Sequence, residues 1–362
     1  MKEWKAVSLV FCGGVLAALL LLEILLRFYN PFGFRLKGDE IQPPAGKTYK
    51  IEHHAFTRLD PVITHTKNSL GFRGAEPPAD LNAALGVVAV GGSTTECFYL
   101  SDGTTWSDRL AQLAARDFAP LWLNNAGLDG HSTYGHDLLV RQHLLKLRPK
   151  VIIFLAGLND IGRGDIRGGP SWLLRLARHS QLFSIAENMS RFAEAKRRGL
   201  VHEQIDFKAL PEKRLDVTEE SALLVKYTPA LMEAYRARVA GLIKLCRDNG
   251  IEPVFLTQPA LYGFGTDPRT GADLAAISVG QGNGSVSWKK LEMYNDIVRT
   301  ECARARVLCV DLADKMPKNS DFYYDFYHFT PAGAEKVADI VYAELGPFLR
   351  KRYPSFGRGG SR

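Results

Sequence analysis

Two kinds of apolar run organise this chain, one long and several short, and they predict its elements. The long run lies near the N-terminus. Residues 6–22 carry no charge, and beyond Glu23 the apolar character continues through Ile24-Leu-Leu26 to Arg27. A helix across a bilayer needs about 20 residues, so this run predicts a spanning helix. It is longer than a signal-peptide core, and no small-x-small cleavage pattern follows it. From residue 86 the runs shorten. Val87-Val-Ala-Val90, Leu121-Trp-Leu123, Val151-Ile-Ile-Phe-Leu-Ala156, Pro253-Val-Phe-Leu-Thr257 and Val307-Leu-Cys-Val310 read as buried strands. Between them, helical spacing of apolar positions predicts helices at 104–118, 133–147, 229–248, 287–304 and from Thr330 to Leu349. Strand–helix alternation of this kind predicts a parallel sheet covered by helices on both faces.

Three stretches depart from the alternation. Residues 28–80 are rich in Pro, Gly and polar residues, with Asn68-Ser-Leu-Gly-Phe-Arg-Gly74 reading as a compact turn that packs a Leu-Phe pair. Residues 161–228 interrupt the strand–helix order. Lys and Arg outnumber Asp and Glu over 161–200, and Leu182, Ile185, Ala186, Met189, Phe192 and Ala193 form an apolar stripe closed by Lys196-Arg-Arg-Gly199. That stripe suits a cap helix packed on the domain, the reading preferred here, or a helix lying on a membrane surface. Residues 261–286 are Gly-rich and follow the fourth strand, a place for a binding loop. The expected organisation is an anchor (1–30), a linker and extension (31–80), an α/β domain (81–350) with a helical insertion (161–228), and a basic tail (351–362).

Composition adds limits. The 362 residues are 46% hydrophobic and 23% charged, the balance of a folded chain with ample core. The net charge of +7 suits an anionic membrane surface or acidic glycan. Nucleic acid is not an expected partner, because no zinc-finger, RNA-recognition or basic-zipper pattern is present. Cys12, Cys97, Cys246, Cys302 and Cys309 lack CxxC spacing, so neither a zinc site nor a disulfide framework is expected. Cys302 and Cys309 could still pair in an oxidising compartment. Glu52, His53, His54 and His65 lack ligand spacing and read as loop residues, so no metal and no cofactor is expected.

The candidate chemistry collects at one edge of the predicted sheet, where open α/β sheets bind ligands. Gly91-Gly-Ser93 ends the first strand, Asn125-Ala-Gly-Leu-Asp-Gly130 follows the second, and Gly157-Leu-Asn-Asp160 the third. Asp325-Phe-Tyr-His328 precedes the last helix. Acyl transfer needs a nucleophile, a base, an orienter for the base and donors for the oxyanion. Ser93 supplies the first, His328 the second and Asp325 the third, since residues three apart in a helical turn share one side. The backbone N–H groups of Ser93 and Gly130 and the side-chain amide of Asn159 supply donors. A plain N-cap serine would explain Ser93 taken alone. Gly91-Gly-Ser-Thr-Thr95 lacks a P-loop lysine, and Thr95 stands where a nucleophile elbow has Gly. Asp160 is the weaker candidate for the acid. Asp129 and His131 adjoin the oxyanion block.

These four motifs, in this order, resemble those of the SGNH hydrolases, the GDSL-like esterases, over roughly residues 86–345 less the insertion. The first block departs from the name motif, with Gly92 in place of the aspartate before the serine and Thr94 in place of the leucine after it. The resemblance implies a flavodoxin-like three-layer α/β/α sandwich. It implies a triad of Ser93, His328 and Asp325, with an oxyanion hole of Ser93, Gly130 and Asn159. With the N-terminal span, it implies a single-pass inner-membrane protein whose domain faces the periplasm. The expected activity is hydrolysis of O-acyl, chiefly O-acetyl, esters on a small molecule or an extracytoplasmic glycan. An O-acetyltransferase served by a membrane-bound acyl donor is an alternative, and the 261–286 loop, with Tyr262, Phe264 and Arg269, would shape a water-accessible cleft in the one case and a water-excluding acceptor site in the other. A non-catalytic glycan-binding or assembly protein is another.

Overall fold

The computed structural model describes residues 2–33, 35–52, 56–163, 171–197 and 202–358. His53, His54, the end of the basic run after Arg197 and the last four residues of the tail lie outside them. Two compact units result. One holds the chain through Pro43 together with residues 171–197; the other holds the remainder from Pro44.

The larger unit is built on five parallel strands: β1 (Leu85–Gly91), β2 (Leu121–Asn125), β3 (Val151–Leu155), β4 (Glu252–Leu256) and β5 (Leu308–Val310). Their order across the sheet is β2-β1-β3-β4-β5. Register sets Ala89 beside both Asn125 and Ile153, and Gly91 beside Leu155. The three strands therefore finish at one edge. The order reverses at β1, so the crevice for a ligand opens beside β1, next to β3. Strand period two sorts the apolar side chains: Val87 and Ala89 join the core cluster on one face, while Val88 and Val90 are buried on the other.

Helices cover both faces. A four-residue α1 (Ser93–Glu96) leaves β1 directly. Helix α2 (Trp106–Asp117) starts at a capping box in which Thr105 accepts from Asp108 N–H and Asp108 accepts from Thr105 N–H. It packs Trp106, Leu110 and Ala114 toward α6 (Pro331–Arg352), which contributes Val337, Val341 and Leu345. On the other face lie α3 (Thr133–Leu139), α4 (Pro229–Asp248) and α5 (Gly284–Ala305), with Phe154 and Phe255 stacked at 4.9 Å beneath them. The result is a three-layer α/β/α sandwich. Helix α5 begins at Gly284 rather than at 287, because the Asn283 side chain caps Val286 N–H at 2.9 Å. Cys302, buried, and Cys309, half-buried, are free thiols.

The smaller unit pairs the N-terminal helix Lys2–Phe28 with helices Ser171–His179 and Gln181–Arg197 and a short hairpin, Leu36–Lys37 with Glu40–Ile41. Residues Val7–Phe28 are long and apolar enough to cross a membrane. The expected insertion is thus divided, its 171–197 helices grouping with the N-terminal segment and its later residues with the sheet. The apolar stripe also differs from expectation. Phe183, Met189 and Phe192 are exposed, whereas polar Ser184 is buried and Asn188 donates to the hairpin carbonyl of Leu36 at 2.8 Å. The hairpin offers backbone hydrogen-bond partners, so it draws the polar face inward.

Candidate active site

Ser93 sits at the sharp exit from β1. Gly92 precedes it with almost no room to spare: a Cβ there would lie 2.3 Å from Asn159 Nδ2. Glycine at this position, where the name motif has aspartate, lets the loop after β3 close onto the Ser93 turn. Ser93 Oγ lies 2.7 Å from His328 Nε2, and His328 Nδ1 lies 2.6 Å from Asp325 Oδ2. The other Asp325 oxygen accepts the N–H groups of Tyr327 (2.9 Å) and His328 (2.7 Å), which fixes the carboxylate within its own turn. All three side chains are nearly buried. An ordered hydroxyl–imidazole–carboxylate chain of this kind can draw a proton from the serine while holding the imidazole in one tautomer.

Asn159, on a short 3-10 turn after β3, donates to the His131 carbonyl at 3.1 Å. Gly130, one residue before that carbonyl, has φ of +75°, and a Cβ there would meet nothing within 4 Å. The loop thus presents backbone rather than a side chain to open space. The structure brings Asn159, the Gly130–His131 segment and the Ser93 turn to one place. Asp160 is elsewhere engaged. Its carboxylate takes Thr133 Oγ (2.6 Å) and N–H at the start of α3, with Arg238 at 3.4 Å, and burial pushes its pKa up. Of the loop 261–286, Tyr262 is buried against Phe326 and Tyr327, Arg269 pairs with Asp321, and Phe264 is exposed.

Several residues that the sequence did not single out complete the surroundings. His202 lays its ring 4.0 Å from that of His328. Its Nδ1 meets Tyr324 Oη at 2.7 Å and its Nε2 meets Asp129 Oδ2 at 3.2 Å. Burial opposes its protonation, but the Asp129 hydrogen bond and the charges of Asp129, Asp325 and Glu96 outweigh this, and its pKa is raised. Donor atoms of His202, Asp325 and His328 lie within 4.8 Å of one another, and each of these nitrogens already has a hydrogen-bond partner. Beneath the loop, Lys67 and Glu96 form a fully buried ion pair at 2.9 Å, and Glu96 also accepts Asp129 N–H at 2.6 Å. Arg73, equally buried, donates to the carbonyls of Glu96, Cys97 and Leu100 at 3.1, 2.6 and 2.7 Å. In the Asn68–Gly74 turn it is therefore Arg73, with Phe72, that packs inward, while Leu70 is half-buried.

Residues 89–336 match the model of the GDSL-like lipase/acylhydrolase family. The chain belongs to that family, and it is a hydrolase. A search of curated proteins gave no match. Among solved structures, the acetylxylan esterase Axe2 from Geobacillus stearothermophilus is similar at 13% identity, with 73% of this chain and 95% of that one covered and a TM-score of 0.43. TesA is similar at 14% identity, with coverage of 73% and 99% and a TM-score of 0.41.

Proposed function

We propose that this hydrolase is a serine esterase that removes short O-acyl groups, acetyl above all, from an extracytoplasmic glycan. The observation that carries the reading is the continuous Ser93–His328–Asp325 chain, with contacts of 2.7 and 2.6 Å. His328 Nε2 takes the Ser93 proton as Oγ attacks the ester carbonyl. The tetrahedral oxyanion is met by the N–H groups of Ser93 and Gly130 and by Asn159 Nδ2, each such donor contributing about 2.7–4 kcal/mol in related sites. His328 then returns the proton to the leaving alcohol, and the acyl-serine remains. Water, deprotonated by the same imidazole, releases the acid and restores Ser93. Asp325 holds the imidazole and balances its transient charge. Apolar and aromatic residues, Cys97, Tyr99, Leu100, Tyr324 and Phe329, line the surface beside Ser93 and His328. The helix Lys2–Phe28 anchors the protein in the inner membrane, with the sheet unit outside the cytoplasm.

Hydrolysis of p-nitrophenyl acetate tests the reading. Ser93→Ala and His328→Ala should each lose at least about 10³-fold in kcat with circular dichroism unchanged. A fluorophosphonate probe should label Ser93 in the unsubstituted protein. Unaltered turnover in Ser93→Ala would end the assignment.

A further inference from the structure

The end of the N-terminal helix is wired into the 171–197 helices. Glu23 accepts Gln181 N–H at 2.9 Å, Leu182 N–H at 3.1 Å and Ser180 Oγ at 2.9 Å. Its carboxylate therefore caps the first turn of the Gln181–Arg197 helix. Four residues on, Arg27 donates to the His179 carbonyl at 2.8 Å, at the C-terminal end of the Ser171–His179 helix. Anion meets N-terminus and cation meets C-terminus, the favourable sense for both helix dipoles. Asn30 adds a bond to Gln181 at 3.0 Å. The junction of the two helices is thereby held at the last turn of the apolar span, where a bilayer's interfacial zone begins.

The Gln181–Arg197 helix is apolar on its outer side. Exposed Met189 (61%), Ala186 and Ala193 lie at its centre with Lys196, and Phe192 (67%) and Phe183 (47%), half a turn apart round the axis, stand at its two borders. Its inner side is polar, with Ser184 buried and Asn188 bonded to Leu36. On the preceding helix Trp172 (56%) and Leu176, one turn apart, are exposed beside Arg175. Aromatic and long apolar side chains with flanking basic residues are the composition of helices that lie in a membrane interface. A helix facing water would put these sides the other way round.

We infer that the 171–197 helix pair lies in the membrane interface next to the span, with Phe183, Met189 and Phe192 among the lipid headgroups and upper acyl chains. The inference rests on the N-terminal helix being a membrane anchor. The pair then forms a collar on the anchor and fixes how the span leaves the bilayer. Basic Arg175 and Lys196 favour anionic headgroups.

The test uses the full chain in vesicles of phosphatidylcholine and phosphatidylglycerol, with benzoylphenylalanine replacing one residue at a time. Photolysis at Leu16, inside the span, should give lipid adducts. Phe183, Met189 and Phe192 should give them in comparable yield, and Ser184, on the inner side, should crosslink only within the chain. Lipid adducts at Leu16 with none at the three outer positions, or with crosslinks there to a second copy, would overturn the interfacial placement and leave the anchor intact. Absence of lipid adducts at Leu16 as well would overturn both.

Discussion

At the scale of single residues, the consequential neighbour is His202. In the proposed reaction His328 becomes an imidazolium, and His202 lies 4.0 Å away, with Asp129 and Tyr324 on its nitrogens and Tyr99 at its edge. The raised pKa of His202 keeps it cationic to higher pH than an ordinary histidine. A cation beside His328 disfavours protonation of that ring. Substituting His202 by glutamine removes that cation. The acid limb of kcat/KM in His202→Gln should therefore move to higher pH. A merely structural role would lower kcat/KM at every pH and leave the limb in place. A pH profile on an acetyl ester, over a range in which the variant stays folded, separates the two. An unmoved limb would show that His202 does not act on His328.

At the scale of elements, the loop after β2 is held from below by a buried ion pair. Glu96 leaves α1 to meet Lys67 at 2.9 Å and Asp129 N–H at 2.6 Å, so one carboxylate ties the Asn68–Gly74 turn region to the segment that carries Gly130. Removing one member of a buried ion pair costs about 3–5 kcal/mol. Glu96→Leu should therefore destabilise strongly in urea unfolding. The double variant Lys67→Met, Glu96→Leu should recover most of that stability, since apolar replacement of a whole buried pair is nearly neutral. It still lacks the acceptor for Asp129 N–H, so kcat should remain roughly tenfold low. Full activity in a stable double variant would refute the link. None of this was legible in the sequence, because Lys and Glu read as surface residues unless a partner is known. The strands were legible, and so was the sheet edge at which the candidate residues meet. Val87–Val90 is too short and apolar for anything but a buried strand before Gly91-Gly92, and three-residue spacing alone brings Asp325 to His328. His202 was hidden because it arrives from a segment without periodicity. The 181–197 stripe misled because periodicity shows that a helix has two sides, and not which one is covered.

At the scale of the whole molecule, two histidines outside the Ser93–His328–Asp325 chain link folding to pH. His65 is buried, with Nδ1 on the Phe98 carbonyl, and burial together with the nearby Arg73 and Lys67 charges lowers its pKa to about 3. His136, on α3 with its ring 6.4 Å from Phe154, is lowered to about 3 by burial. Both rings are neutral in the folded state at neutral pH. In the unfolded chain they titrate near 6.5, the ordinary value. Between about 3 and 6.5 the unfolded state binds the extra protons, so stability is complete above that range and is lost as pH falls through it. Each histidine can remove about 1.4 kcal/mol per pH unit well below its ordinary value, and the pair roughly 2.7. Against a typical stability of about 5–15 kcal/mol, the sheet unit should begin to unfold in mild acid, about two pH units below the histidine value. Other carboxylates add to the slope in both proteins, so a difference measurement isolates the histidine. His136→Phe keeps a ring against Phe154 and removes one titration. Its unfolding free energy, measured in urea between pH 6 and 5, should fall less steeply than that of the unsubstituted protein, by about 1 kcal/mol per unit. Equal slopes would mean that His136 is protonated in the folded state, and the lowered value would be wrong.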